Sequence, residues 1–232
     1  MAELLYEGKA KQVYKTDKED EYLIHYKDDA TAGNGVKHDK FEGKGVLNNT
    51  ISCIIFDMLE EAGIKTHMIK KLNERDILVK KVDIFPLEVI VRNITTGSFC
   101  KRLGAPEGIV LDEPIFEMSY KNDEYGDPLI NDDHAVALKL ATREELAYIK
   151  ETTLKINELL KEFFLSMNLK LVDFKIEFGK TADGTILLAD EISPDSCRLW
   201  DVDTNQKYDK DVFRQDIGDL IETYKAVLAR MQ

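Results

Sequence analysis

The sequence has few of the residues that stabilise a chain through disulfides or structural zinc. Its 232 residues include three cysteines, Cys53, Cys100 and Cys197, which lie far apart and form no CxxC pair. The four histidines show no metal-ligand spacing. We therefore expect neither a disulfide framework nor a zinc site, and this cysteine usage fits a reducing compartment.

Basic residues and long apolar runs are also scarce. The chain has 32 Lys and Arg against 44 Asp and Glu, which gives a net charge of −12 at pH 7 and argues against binding to nucleic acid or to an anionic membrane. No run of 18 apolar residues is present, so no membrane span is predicted. The opening MAELLYEGKAK has no apolar segment behind a basic one, so we expect no signal peptide and a cytoplasmic location.

The common glycine-rich phosphate motifs are missing as well. The segment YEGKAKQVY, 6–14, has one glycine and two lysines, whereas a Walker loop reads GxxxxGK[ST] and a kinase loop reads GxGxxG. In an extended chain, Lys9, Lys11 and Val13 share one face. The lysines could then hold nucleotide phosphates, with Val13 under the base. A solvated basic hairpin is the alternative interpretation.

The composition is that of a folded globular protein, with 44% hydrophobic and 33% charged residues. ELLYEG, KQVYKT and EYLIHYK are predicted strands, followed by a helix over 46–63. LEVIVRNI is a further strand, 104–134 is expected to be rich in loops, and 142–167 and 209–230 are predicted helices. Hairpins among helices predict an α+β fold, with two lobes that meet near residue 85.

The strand-like segment LVDFKIEFG, 171–179, alternates apolar and charged residues. Its apolar residues fall on one face, and Asp173, Lys175 and Glu177 fall on the other. A solvated face is one interpretation of this pattern. Pairing of Lys175 with its acidic neighbours is a second, and a ligand site is the third.

The hairpin that follows this strand helps to decide among these three interpretations. Asp183-Gly184 predicts a two-residue turn, which would place Glu177 directly opposite Asp190. In that register Ile186 and Leu188 share the face of Glu177, so the charges would be sheltered and would need partners. Two facing carboxylates repel unless a cation lies between them, and magnesium on a nucleotide fits such oxygen ligands.

A second cluster lies in IFPLEVIVRNITTGSF, 84–99. Glu88, Ile90 and Arg92 share one face of the predicted strand, and TTGS then opens a short helix with Ser98 as the expected N-cap. Free amides at a helix start beside an arginine suit a phosphate group. An ordinary capped helix beside a surface arginine is the alternative.

Together these segments resemble the SAICAR synthetase family. FPLEVIVRNITTGS and LVDFKIEFG look like its two signature segments, and the similarity extends to LLYEGKAKQVY, YKNDEYGDPLIND, LADEISPDSCRLWD and DKDVFRQ. The resemblance covers nearly the whole chain at the length of the compact bacterial form. It implies a two-lobed α+β fold with antiparallel sheets and packed helices, related to ATP-grasp enzymes and distantly to protein kinases. An ATP-binding lobe at 1–84 and a substrate and metal lobe at 85–232 are expected.

The resemblance also implies an activity. Such an enzyme joins L-aspartate to the carboxylate of carboxyaminoimidazole ribonucleotide (CAIR), giving SAICAR, ADP and phosphate in de novo purine synthesis, by way of an acyl phosphate. It needs ATP and Mg²⁺, and a homodimer is expected. Two other interpretations stay open, namely an ATP-dependent kinase of a small phosphorylated sugar or inositol, and a non-catalytic nucleotide-binding module.

Particular residues take roles from the resemblance. Those expected to bind ATP are Lys9, Ala10, Lys11, Val13, Lys80, Lys81 and Val82. Those expected to bind magnesium are Glu177 and Asp190. Those expected to bind the nucleotide substrate are Arg92, Ser98, Asp195, Arg198 and Arg214. Those expected near the reacting groups are Asp173, Lys175, Lys121, Asp123 and Asp127. The loop TAGNG, 31–35, varies in the family, so no fixed role is implied for Asn34.

Overall fold

The computed structural model describes residues 3–33 and 35–232, so Asn34 lies outside the described residues. The first sheet has five antiparallel strands in the order β1-β2-β3-β7-β6. These strands are β1 (Leu4–Glu7), β2 (Lys11–Lys15), β3 (Glu21–Tyr26), β6 (Met68–Lys71) and β7 (Asp76–Lys80). A small hairpin, β4 (Asp29–Ala32) and β5 (Lys37–Lys40), leads into helix α1 (Lys44–Glu61).

The second sheet is built around one long strand, β12, which pairs with four others. Its order is β11-β10-β9-β12-β13, and β14 and β8 also pair with β12. The strands are β8 (Asp83–Ile84), β9 (Leu87–Ile94), β10 (Val110–Tyr120), β11 (Leu129–Ile130), β12 (Leu169–Lys180), β13 (Ile186–Ala189) and β14 (Cys197–Asp201). The helices are α2 (Gly97–Leu103), α3 (Asp132–Ala137), α4 (Arg143–Leu165), α5 (Asp211–Arg214) and α6 (Leu220–Arg230). The predicted α+β class is confirmed.

Helix α4 illustrates how local sequence and packing agree. Thr142 and Glu145 form a reciprocal capping box at its start, which satisfies two amides that the helix leaves unpaired. Leu146, Ile149 and Ile156 are buried on its inner face, and the helix packs against β12. Within the described residues, no helix is long and apolar enough to cross a membrane.

One hydrophobic cluster contains residues from both sheets. It joins Ile77 of the first sheet, Phe56 of α1 and Phe174 of the second sheet, each at most 1% exposed. Helix α1 also packs against α6 near the C-terminus. The first sheet ends at Lys80 and the second begins at Asp83. The division into separate lobes at residue 84 stays a prediction.

Three local predictions were wrong. The helix predicted over 209–230 is two helices, because Asp216 takes φ +55° and Asp219 caps a new helix by accepting from the Glu222 amide at 2.9 Å. The stretch 104–134 contains the eleven-residue strand β10. Pro114 lies within it where the pairing with β9 shifts, and prolines in strands favour such irregular positions. The N-cap position of helix α2 is occupied by Thr96, and not by Ser98, and no side chain makes a capping hydrogen bond there.

The predicted register of the β12–β13 hairpin was also wrong. Glu177 pairs with Ala189, and not with Asp190. The Thr181 amide donates to the Thr185 carbonyl at 3.0 Å, so three residues, 182–184, form the connection. Of these residues only Gly184 has positive φ, at +89°, whereas a two-residue turn of type I′ or II′ needs positive φ at its first residue, which would be Asp183. The shift places Leu187 and Ala189, rather than Ile186 and Leu188, on the face of Glu177.

Candidate active site

A cavity of about 180 Å³ opens where β9, β12 and β14 lie side by side. It is lined by residues that were predicted from four separate segments of the sequence. These residues are Arg92, Ser98, Asp173, Lys175, Asp195, Arg198 and Arg214. Strand pairing therefore brings the two signature segments and the C-terminal motifs to one place.

Asp173 lies at the centre of the basic residues in this cavity. It pairs with Arg92 on β9 and with Arg198 on β14 in the strand register. Its Oδ2 accepts hydrogen bonds from Arg92 Nη1 at 3.0 Å and from Arg198 Nη1 at 2.8 Å. Asp173 is 5% exposed, and a buried carboxylate needs such partners. The charged face of β12 is sheltered, as predicted, although the register behind that argument was wrong.

Arg92 is held on its other edges too. Its Nε donates to Glu117 at 2.7 Å and its Nη2 donates to Ser98 Oγ at 3.1 Å. Arg102 donates to the second oxygen of Glu117 at 2.7 Å. Charge-assisted bonds of this kind fix a guanidinium plane, so Arg92 and Ser98 reach the cavity in a set orientation.

Asp195 forms a second buried ion pair, which sequence reasoning missed. Lys44 of α1 is fully buried and donates to Asp195 Oδ2 at 2.5 Å, and the Tyr224 hydroxyl donates to Oδ1 at 2.5 Å. Lys210 lies 3.6 Å away. Burial alone would raise the pKa of Asp195, but Lys44 and Lys210 outweigh it and hold the pKa below its usual range. Asp195 is therefore an ionised, fixed group at the cavity.

A second cluster of charges lies along β12, next to the cavity. Lys175 donates to Glu88 at 2.7 Å and to Glu177 Oε1 at 3.3 Å. Lys121, from the loop after β10, donates to Glu177 Oε2 at 2.6 Å. Burial would lower the pKa of Lys175, but Glu177 and Glu88 outweigh it and raise the pKa above its ordinary value. Lys175 therefore stays protonated and connects the two clusters.

The predicted phosphate-binding lysines reach the same region from the first sheet. Lys11 forms ion pairs with Asp190 and, at 3.1 Å, with Glu191, and Lys9 pairs with Asp123 at 2.9 Å. Asp190 takes φ +63° directly after β13 ends. Lysines at the start of β2 and just before it therefore face carboxylates that follow strands β10 and β13 of the second sheet.

The two carboxylates predicted to bind magnesium share cationic neighbours. The pKa of Asp190 is held below its usual range, against the effect of burial, by Lys11 and then by Lys175 and Lys121. Lys175 and Lys121 also donate hydrogen bonds to Glu177. Nowhere in 3–33 and 35–232 do three His, Cys, Asp or Glu side chains group as a metal site. The two carboxylates fit a Mg²⁺ ion that arrives with phosphate oxygens, because they supply only part of its shell.

Three other predicted residues make their recorded hydrogen bonds outside these clusters. Asp127 accepts the Asn122 amide at 2.8 Å within its own loop. The amide of Lys80 donates to His67 and that of Lys81 to Asp20, each at 2.7 Å. Lys80 also lines a separate, larger cavity. The roles of Asp127, Lys80 and Lys81 stay predictions.

Three further residues were predicted to contact ATP. Val13 lies on β2, Ala10 lies just before β2, and Val82 lies just after β7. Val13 is half-buried against the core, and the Ala10 carbonyl accepts the Lys27 amide at 2.8 Å. Val82 packs against Gly179, where an added Cβ would lie 2.4 Å from Val82 Cγ2. Val82 lies between the last strand of the first sheet and the first strand of the second, and the roles of all three residues stay predictions.

Comparison with known proteins identifies the family. The family model described as SAICAR synthetase matches residues 4–231. The chain is 67% identical to the phosphoribosylaminoimidazole-succinocarboxamide synthase of Finegoldia magna, over 99% of both chains.

Solved structures agree. A SAICAR synthetase in complex with ADP has 52% identity and a TM-score of 0.95, over 98% of this chain and 97% of that one. The Ehrlichia chaffeensis synthase has 45% identity and a TM-score of 0.97, over 99% of this chain and 98% of that one. The chain belongs to the SAICAR synthetase family.

Proposed function

We propose that this protein joins L-aspartate to the carboxylate of CAIR, with cleavage of ATP to ADP and phosphate, as a step of de novo purine synthesis. The observation that carries the proposal is the convergence of both signature segments on one cavity, in which Asp173 bridges Arg92 and Arg198. The family match and the relative in complex with ADP support the same activity.

In this proposal ATP lies between the two sheets. Lys9 and Lys11 would exchange their carboxylate partners for phosphate oxygens, while Glu177 and Asp190 would hold Mg²⁺. The metal would neutralise charge on the phosphates. What supports this arrangement is that these lysines already face ionised carboxylates across the junction. The lobes 1–84 and 85–232 would then be the ATP lobe and the substrate lobe.

The cavity would take the imidazole nucleotide. Arg92, Ser98 and Arg198 present donors suited to a 5′-phosphate, and Arg214 lies on the same wall. Asp195 is held ionised by Lys44, so it can accept hydrogen bonds from ribose or ring donors. The loop with Lys121, Asp123 and Asp127 would close this region on the nucleotide side.

The chemistry follows from the poor reactivity of a carboxylate. Transfer of the γ-phosphoryl group to the CAIR carboxylate would give an acyl phosphate, which the aspartate amine attacks with release of phosphate. Lys175 is protonated and lies beside Glu177, so it can stabilise negative charge on the transferring group. Positioning and exclusion of water from the acyl phosphate would supply the remaining effect.

The test is the double variant Glu177→Gln with Asp190→Asn, assayed with ATP, CAIR and aspartate for SAICAR and phosphate. We expect amide formation to fall at least about a hundredfold and the remaining activity to need more magnesium. The matched control is Asp112→Asn with Glu113→Gln, two exposed carboxylates on β10. Near wild-type activity with unchanged magnesium dependence would contradict the assignment.

The same assay separates ligation from a kinase reaction. A ligase releases phosphate only when aspartate is present to form an amide, whereas a kinase would accumulate a stable phosphorylated product without it. We also propose a homodimer in the cytoplasm that binds only small molecules. Light scattering of the purified protein would show a mass near twice the 26.5 kDa of one chain.

A further inference from the structure

Asp211 joins two arginines that line the cavity. Its Oδ2 accepts from Arg198 Nε at 3.0 Å, and its Oδ1 accepts from Arg214 Nη1 at 2.8 Å. Asp211 is 2% exposed and does not line the cavity itself. Asp211 therefore makes no contact with a ligand in the cavity, and apart from its charge it can act there only through these arginines.

Arg198 is fixed from two directions. Asp211 on α5 holds its Nε, and Asp173 on β12 holds its Nη1 at 2.8 Å. Among the residues that the structure describes, none accepts a hydrogen bond from Nη2. Two anchors set the plane of the guanidinium, and the Nη2 edge keeps donors for a ligand.

Gly97 forms the surface on which this guanidinium lies. A Cβ at this position would be 2.7 Å from Arg198 Nη2 and 2.9 Å from its Cζ. Gly97 also has φ +56°, a conformation that favours glycine. The absence of a side chain therefore lets Arg198 lie flat against the backbone directly before Ser98.

The support for Asp211 is itself rigid. Its amide donates to Asp209 Oδ1 at 2.7 Å, and Asp209 Oδ2 accepts the Leu199 amide at 2.9 Å. Leu199 follows Arg198 on β14. The start of α5 is thereby tied to the strand that carries the arginine it orients.

We propose that Asp211 is a positioning residue, which holds Arg198 flat on Gly97 so that its Nη2 edge receives the phosphate of the nucleotide substrate. The proposal rests on the proposed function, in which that substrate is CAIR. It predicts whether removing Asp211 strengthens or weakens binding of the phosphate. Removing a carboxylate makes the cavity more positive, so charge alone would tighten phosphate binding. Loss of orientation would weaken it, because the freed arginine must be ordered on binding.

The test compares Asp211→Ala and Asp211→Asn with the wild type in steady-state kinetics. We expect Asp211→Ala to raise KM for CAIR about tenfold or more, with kcat within about twofold and KM for ATP unchanged. Asp211→Asn keeps one acceptor oxygen, so it should restore part of the affinity. An unchanged or lower KM for CAIR in Asp211→Ala would overturn the proposal.

A double-mutant cycle shows whether the effect passes through Arg198. In an Arg198→Ala background, Asp211→Ala should change KM for CAIR by less than about twofold. The nucleoside form of CAIR, which lacks the phosphate, should be used equally by the wild type and by Asp211→Ala. Full additivity, or an equal loss for nucleoside and nucleotide, would overturn the proposal.

Controls separate this outcome from misfolding and from failure of the proposed function. Asp216→Asn makes the same chemical change on an exposed residue of the same segment and should leave KM for CAIR unchanged. Gly97→Ala disturbs Arg198 by a steric route and should raise KM for CAIR, while thermal melting checks that each variant folds. If the wild type formed no amide from CAIR, the proposed function would fail. Normal turnover by the wild type, together with an unchanged KM for CAIR in the Asp211 variants, would refute only the positioning role.

Discussion

Replacing Lys44 tests how the wall of the cavity is held together. The Lys44 ammonium is fully buried and lies 2.5 Å from Asp195 Oδ2. Lys44→Met keeps the length of the side chain and leaves Asp195 with Lys210, 3.6 Å away, as its remaining cationic partner. Breaking a buried ion pair costs about 3–5 kcal/mol. We expect the melting temperature to fall by roughly 6–20 °C, at about 2–4 °C per kcal/mol for a chain of this size.

The assay is thermal unfolding followed by circular dichroism, with Lys155→Met on the exposed face of α4 as the control. Asp195→Asn in the Lys44→Met background removes the charge that has lost its closest partner, so the double variant should regain most of the lost stability. If Lys44→Met cost no more than Lys155→Met, or if the double variant were less stable than Lys44→Met, the reasoning would be refuted.

The same variant has a pH signature. In the wild type the pKa of Asp195 is lowered, because Lys44 and Lys210 outweigh the effect of burial. Its stabilising contribution is thus present above the pKa of an ordinary carboxyl group and is lost as the pH falls. In Lys44→Met the Asp195 carboxyl group, without its closest partner, can instead take up a proton. The stability gap between the variant and the wild type should therefore narrow from about pH 7 to about pH 4.

Three further predictions follow from other contacts. Burial and Asp211 raise the pKa of Asp209 to about 7, so the wild type loses stability from this group as the pH rises from about 4 to about 7. Asp209→Asn should not show this loss of stability, which denaturant unfolding of both proteins from about pH 4 to about pH 7 would measure. The same pH dependence of stability in the wild type and in Asp209→Asn would contradict the prediction. Gly179→Ala should cost about 1–3 kcal/mol, because its Cβ would lie 2.4 Å from Val82 Cγ2, and Val82→Ala should restore the stability. ATP should bind at least about tenfold more weakly in chelator than with Mg²⁺, and equal affinities by calorimetry would contradict the roles of Glu177 and Asp190.

Local patterns predicted most of the elements, because local physics decides them. The alternation in LEVIVRNI and LVDFKIEFG marks β9 and β12, and helical spacing marks α1 and α4. The register of the β12–β13 hairpin could not be read in this way. Asp183-Gly184 is compatible with turns of two and of three residues, and a difference of one residue decides whether Asp190 or Ala189 faces Glu177.

Some residues of the site could be named from sequence motifs, and others became apparent only in the fold. Arg92, Asp173 and Arg198 were named from sequence motifs, but their shared hydrogen bonds join positions 81 and 25 residues apart. Lys44 and Asp211 were missed, because nothing in the local sequence FEGKGVLNN or DKDVFRQ indicates that the lysine or the aspartate is buried. Only the packing of α1 against α6, and of α5 beside β14, buries them.

The two clusters differ in how they would meet their ligands. In the cavity, Asp173 and Asp211 bond the inner edges of Arg198 and leave Nη2 for the substrate, so the nucleotide would bind without breaking these pairs. At the junction of the sheets, Lys11 pairs with Asp190 and Lys121 with Glu177. In the proposed function, phosphates would take the lysines and a metal ion would take the carboxylates, so either ligand alone would leave buried charges unpaired. Under the proposed function, the cavity would therefore be a preformed anion site, whereas the junction would need a phosphate and a cation that arrive together.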